Sequence, residues 1–143
     1  MENVENMIKI AVTFLQSKGY DNFFITGSVA LIKNFGIPLG REPHDIDIIL
    51  LGDTTNEEDD KILFEVDGIW VNVFIQKEIR FKKSKLIDNV RFVDDIQHIV
   101  NEKLKMSRDK DLDDIEIINK FLTEKNCNEK GRIYCEKRAD ARS

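Results

Sequence analysis

Residues 61–75, KILFEVDGIWVNVFI, constrain this chain more than any other stretch. Two β-rich runs flank Asp67-Gly68, and such a dipeptide suits the two-residue turn of a β-hairpin because both positions tolerate positive φ. The stretch therefore predicts two adjacent antiparallel strands. Upstream, NFFIT reads as a short buried strand, Gly27-Ser28 as a tight turn, and VALIKNF as a helix stopped by Gly36 and Pro38. After a loop with Gly40 and Pro43, IDIILL reads as another strand, separated from the hairpin by the polar run GDTTNEEDD.

Helical spacing appears at both ends. Val4, Met7, Ile8, Ala11, Phe14 and Leu15 follow the i, i+3, i+4, i+7 pattern of one buried face, and Gly19 is placed to end that helix. NVRFV predicts a short edge strand, and Asp94 or Asp95 a cap for a helix running to about Met106. Leu112, Ile115, Ile118, Phe121 and Leu122 form a last helical stripe that should pack on the body. The expected fold class is α/β in the α+β sense, a mixed sheet flanked by helices with a helical C-terminus. One domain over 1–125 is expected, followed by a polar, flexible tail over 126–143 without sustained periodicity.

A net charge of −5 argues against coating nucleic acid through bulk electrostatics, so partners must be recognised locally. Cys127 and Cys135 are the only cysteines, lack the paired spacing of a zinc site, and fit a reduced, cytoplasmic setting. No apolar run approaches the ~18 residues of a membrane span, so no membrane partner is expected. The N-terminus lacks the basic start and cleavage site of a secretory signal.

The chemistry gathers in GREPHDIDIIL, residues 40–50. Side chains two apart on a strand share a face, so Asp45 and Asp47 project together while Ile46 and Ile48 point the other way. Paired carboxylates can hold a hard divalent cation jointly with substrate phosphates. The competing reading is a solvated strand end. Ser28 stands upstream in ITGSVAL, where a strand enters a Gly-Ser turn and backbone N–H groups with a hydroxyl can meet phosphate oxygens.

Taken together, ITGSVALIKNFGIPLGREPHDIDIIL resembles the signature of the nucleotidyltransferase superfamily, whose fold is that of DNA polymerase beta. The spacing and the GREPHDIDI wording look like the aminoglycoside and lincosamide nucleotidyltransferases and the AbiEii toxin-type group. Downstream, EKLKMSRDKDLDDIEII is similar to the Lys…Arg-x-Lys-Asp-x-x-Asp-Ile pattern of their closing helices, so the resemblance spans roughly 22–122. It implies that Gly27 and Ser28 position a nucleoside triphosphate such as ATP, and that Asp45 and Asp47 bind Mg²⁺ or Mn²⁺. The implied reaction transfers a nucleoside monophosphate to a hydroxyl acceptor, which a small molecule, a tRNA or a protein can supply. Under the same pattern Lys103 approaches the phosphates and Asp111 braces the turn between the last helices.

The family supplies a third acidic residue from a later strand, and the matching place here holds Asn72. An amide oxygen can ligate a cation but brings no charge and is no base near neutral pH. The alternative expectation is therefore a catalytically degenerate fold that binds a nucleotide or a protein partner, and a homodimer that completes an open cleft is compatible with either. Glu65 and Asp67 are candidate substitutes, although Asp67 is also the turn residue. Arg41 and His44 precede the pair and are secondary phosphate contacts.

The remaining charged residues read two ways. Lys103, Arg108, Lys110, Asp111 and Asp114 fit a solvated helical face as well as a role. RFKKSK, 80–85, reads as an exposed loop before it reads as an anion contact. Trp70 shares the face of Asn72 and Phe74, with burial in the core its expected fate. His98 lies in an apolar helical stretch and receives no role.

Overall fold

The computed structural model describes residues 2–53 and 60–130. Its chain order is α1 (Glu2–Ser17), β1 (Phe23–Thr26), α2 (Gly27–Lys33), β2 (Asp45–Leu51), β3 (Asp60–Val66), β4 (Ile69–Gln76), β5 (Ser84–Ile87), β6 (Val90–Val93), α3 (Ile96–Met106) and α4 (Asp109–Lys130). The strands form one six-stranded sheet in the order β3-β4-β2-β1-β6-β5. It is mixed: β2 runs parallel to β4 and antiparallel to β1, while β1 runs parallel to β6.

Alternation along the strands decides the two faces. Ile46 and Ile48 of β2 and Val71 and Val73 of β4 are almost wholly buried on one face. Helices α1 and α2 cover that face, with Phe14 of α1 meeting Phe64 of β3 edge-on at 4.9 Å. Each fully buried aliphatic side chain of this kind contributes about 1.5–3 kcal/mol. The opposite face carries Asp45, Asp47 and Ile49, flanked by Trp70, Asn72 and Phe74 on β4. At the β1 end Phe24 packs on Phe81 (4.9 Å), which reaches His98 of α3 at 5.9 Å. At the β3–β4 end Leu63 and Trp70 remain 54% and 46% exposed. Trp70 is thus on the expected face, but it is not a core residue: α1 meets β3 on the opposite face, and Trp70 stays half exposed on the cleft face.

The expected hairpin is present, with φ of 48° at Asp67 and 84° at Gly68. A second hairpin, β5–β6, was not expected from the sequence. It turns at Asp88-Asn89, both at positive φ (49° and 65°), a turn chemistry to which Asp and Asn are suited. Residues 84 and 85 of the RFKKSK stretch therefore belong to a strand, and Phe81 is buried. β5 takes the edge of the sheet, and β6, expected there, lies inside it.

Asp95 caps α3, as one of the two candidates, by accepting from the His98 backbone N–H at 3.1 Å. Its carboxyl lies below the ordinary range, chiefly because the Lys82 backbone N–H also donates to it. Helix α4 departs from its apolar pattern: Leu112 is 48% exposed, whereas Asp111 and Asp114 are 2% and 1% exposed. Its inward face begins with Asp111 and Asp114 and continues with Ile118, Phe121 and Leu122 of the expected stripe, which do pack on the core, so the departure is confined to the first turns. The reason is electrostatic, since the buried Lys103 and the half-buried Arg41 face those first turns. The helix continues to Lys130, beyond the expected boundary at 125, and 131–143 of the expected tail lie outside the described residues.

Candidate functional site

β2 presents Asp45 and Asp47 near the middle of the sheet, and parallel pairing with β4 sets Asn72 directly beside Asp47. The Asn72 side-chain amide donates to Asp47 Oδ1 at 2.9 Å and to Asp45 Oδ2 at 3.2 Å. One N–H₂ group thus bridges both carboxylates, in the place where a cation would neutralise them. Burial raises the Asp47 pKa, the Asn72 hydrogen bond opposes that rise, and the nearby Asp45 charge adds to it.

Gly27 lies against this pair from the other side. Its φ of +67° is left-handed, and a Cβ there would sit 2.5 Å from Asp47 Oδ2. Only glycine lets the β1–α2 turn approach the carboxylate so closely.

The next residue begins a second cluster. Ser28 Oγ accepts from Lys103 Nζ at 3.1 Å and from an Arg41 guanidinium N–H at 3.4 Å. Both cations also converge on Asp114 Oδ2, at 2.9 Å from Lys103 and 2.5 Å from Arg41. Asp111 lies 3.9 Å from Lys103 and accepts from Arg108 through its backbone N–H (3.2 Å) and its Nε (2.7 Å), so it braces the α3–α4 turn. Burial would raise the Asp111 pKa, but the Arg108 contacts together with Lys103 outweigh it and hold that carboxyl low. With its lone pairs engaged by two cations, Ser28 keeps its hydroxyl hydrogen for an outside acceptor, and it meets none among the described residues.

Apart from Asp114, which is buried behind them, these groups line one cleft of about 340 Å³ between the sheet face opposite α1 and α2 and helices α3 and α4. Gly27, Ser28, Arg41, Asp45, Asp47, Asn72 and Lys103, all expected at the site, share it, as do Arg108, Lys110 and Asp111. His44, Glu65 and Asp67 lie outside it, Asp67 being spent on the hairpin turn. Lys61, Leu63, Trp70, His98, Glu102 and Met106 also line the cleft and were not expected there as site residues. Strand alternation signalled the side of Trp70; the missing cover over it had no sequence signal.

The donor set can be weighed against a divalent cation. No group of three His, Cys, Asp or Glu side chains gathers in ligating geometry among the described residues. Two carboxylates with an amide that can turn its oxygen inward fit a cation shared with ligand phosphates, since Mg²⁺ is commonly held by one or two carboxylates plus substrate oxygens. They do not make a closed all-protein cage. Among the described residues no helix is long and apolar enough to cross a membrane. Comparison with known proteins yields no matching family model and no significant match among curated proteins or solved structures.

Proposed function

We propose that the cleft binds a nucleoside triphosphate with Mg²⁺ or Mn²⁺ and transfers its nucleoside monophosphate to a hydroxyl acceptor, releasing pyrophosphate. The observation that carries this reading is the adjacency of two opposite clusters: a carboxylate pair at Asp45 and Asp47 bridged by an amide, with no ion pair among the described residues, and the donor cluster of Ser28, Lys103 and Arg41. A triphosphate–metal complex has the matching pattern of charge.

In this reading the Ser28 hydroxyl donates to a phosphate oxygen, and Lys103 and Arg41, held by Asp114, supply positive charge without moving. Asp45 and Asp47 would hold the cation, which would supply neutralising charge for the phosphates. Asn72 gives up its bridge to the carboxylates and turns its carbonyl oxygen toward the site. The acceptor oxygen bonds the α-phosphorus, the bond to the bridging oxygen breaks, and the acceptor proton passes to water because Asn72 is no base. Leu63 and Trp70 offer an apolar floor for the planar part of a nucleotide or acceptor.

A second reading, nucleotide binding without turnover, is favoured by the Asn72 bridge itself, since the amide occupies the position of a third carboxylate. Calorimetry with ATP, GTP, CTP and UTP, with and without Mg²⁺ or Mn²⁺, tests both. Metal-dependent binding lost in the Asp45→Asn, Asp47→Asn double variant is expected, and binding retained in that variant sinks the proposal. Pyrophosphate release then separates transfer from binding alone. If the wild type binds but does not turn over, and Asn72→Asp gains pyrophosphate release, the second reading holds.

A further inference from the structure

β3 forms one edge of the sheet, and its only strand partner among the described residues is β4. Val66 and Ile69 close the Asp67-Gly68 turn, so Val66, Phe64 and Ile62 bond inward to β4. Lys61, Leu63 and Glu65 therefore aim their backbone N–H and C=O groups outward. Such an edge is a template for another strand, and a protein that leaves it open usually protects it by bulges, proline or clustered like charge. Here the edge is regular and seven residues long, and it exposes Ile62 (37%) and Leu63 (54%). Glu65 makes no ion pair among the described residues.

The side chains of β3 are complementary to themselves. In an antiparallel pair centred on Leu63, Leu63 meets its own copy, Ile62 meets Phe64, and Lys61 meets Glu65 on both sides of the axis. Opposite charges directly across a strand pair stabilise it, and like charges oppose it. Moving the centre to Ile62 or Phe64 sets Lys61 or Glu65 against Leu63 and loses the match. The Leu63-centred register also keeps Lys61, Leu63 and Glu65 of both copies on the cleft face, because residues opposite each other in a sheet point the same way.

We propose that β3 pairs antiparallel with β3 of a second copy of this chain, about a two-fold axis at Leu63, so that one continuous sheet carries two clefts side by side on one face. The apolar floor of each cleft, Leu63 and Trp70, then abuts that of its neighbour, and the dimer covers part of the exposed surface there. This inference stands independently of the nucleotide reading, because it rests on the edge strand and not on the carboxylates.

Sedimentation equilibrium on the full chain at up to about 100 μM, a range that detects even modest association, tests it through charge reversal. Wild type should be a dimer. Lys61→Glu sets Glu against Glu65, and Glu65→Lys sets Lys against Lys61, so each variant alone should dissociate about tenfold or more readily. An equimolar mixture of the two variants should dimerise again, as should the double variant, because both restore opposite pairs; far-UV circular dichroism confirms that each is folded. A monomeric wild type overturns the proposal, as do single variants that dimerise like wild type. Single variants that dissociate but are not rescued by mixing overturn this register.

Discussion

The cleft and the helix packed behind it carry two pairs of aspartates, and they are treated in opposite ways. Asp111 and Asp114 sit on the first turns of α4, almost completely buried, each within reach of at least one cation. Asp45 and Asp47 sit on β2 with only the Asn72 amide between them, and burial pushes the Asp47 pKa up. The first pair has its countercharge built into the chain; the second has a polar placeholder. A pair with its own cations positions other groups, whereas in the proposed reading the second pair takes its countercharge from a bound cation.

Removing a member of the paired set should have the largest effect. Asp114→Ala strands Lys103 and Arg41 without their shared partner, and breaking a buried ion pair typically costs about 3–5 kcal/mol. Urea unfolding reads this directly, and a loss below about 1 kcal/mol would mean that water replaces the carboxylate. Next comes Gly27→Ala, which adds a Cβ against Asp47 at a left-handed φ and should cost about 1–3 kcal/mol. In calorimetry it should also weaken metal-dependent nucleotide binding, because Asp47 must move.

Asp95→Ala, remote from both pairs, calibrates an ordinary cap and should cost about 1 kcal/mol. Because the Asp95 pKa is lowered by folding, its contribution is complete above the unfolded value of 3.8 and is lost as pH falls through the folded value. Thermal melts of wild type and variant should therefore converge in acid.

Asp47→Asn should have the smallest effect, between neutral and about 1 kcal/mol stabilising at neutral pH. The sign follows from its raised pKa: between 3.8 and the folded value the native state holds the extra proton, so stability falls as pH rises through that window. The variant escapes that loss, and its advantage should vanish below pH 3.8. If Asp47→Asn instead destabilises as much as Asp114→Ala, the contrast between the two pairs fails.

Much of this was legible in the residues. Asp45 and Asp47 share a face because period-two alternation acts locally along a strand, whereas Asn72 joins them through the β2–β4 register, which folding sets. The Asp67-Gly68 hairpin and the Asp95 cap follow from short-range backbone chemistry in the same way. The β5–β6 hairpin was less visible, since Asp88-Asn89 lacks the glycine that marks the first turn and its flanking strands are only four residues each.

Other features came from partners far apart in the chain. The apolar stripe on α4 pointed to Leu112, yet the helix turns Asp111 and Asp114 inward because Arg41 and Lys103, from other elements, bring charge to that spot. Trp70 is exposed because α1 meets the β3–β4 end of the sheet on the other face, and cover is a property of the assembled layers. By itself, then, the sequence determined the strands, their faces and the carboxylate pair, through forces that reach a few residues. The tertiary structure decided which aspartates are neutralised and which sheet surface stays open, because ion pairing and burial depend on distances that only folding sets.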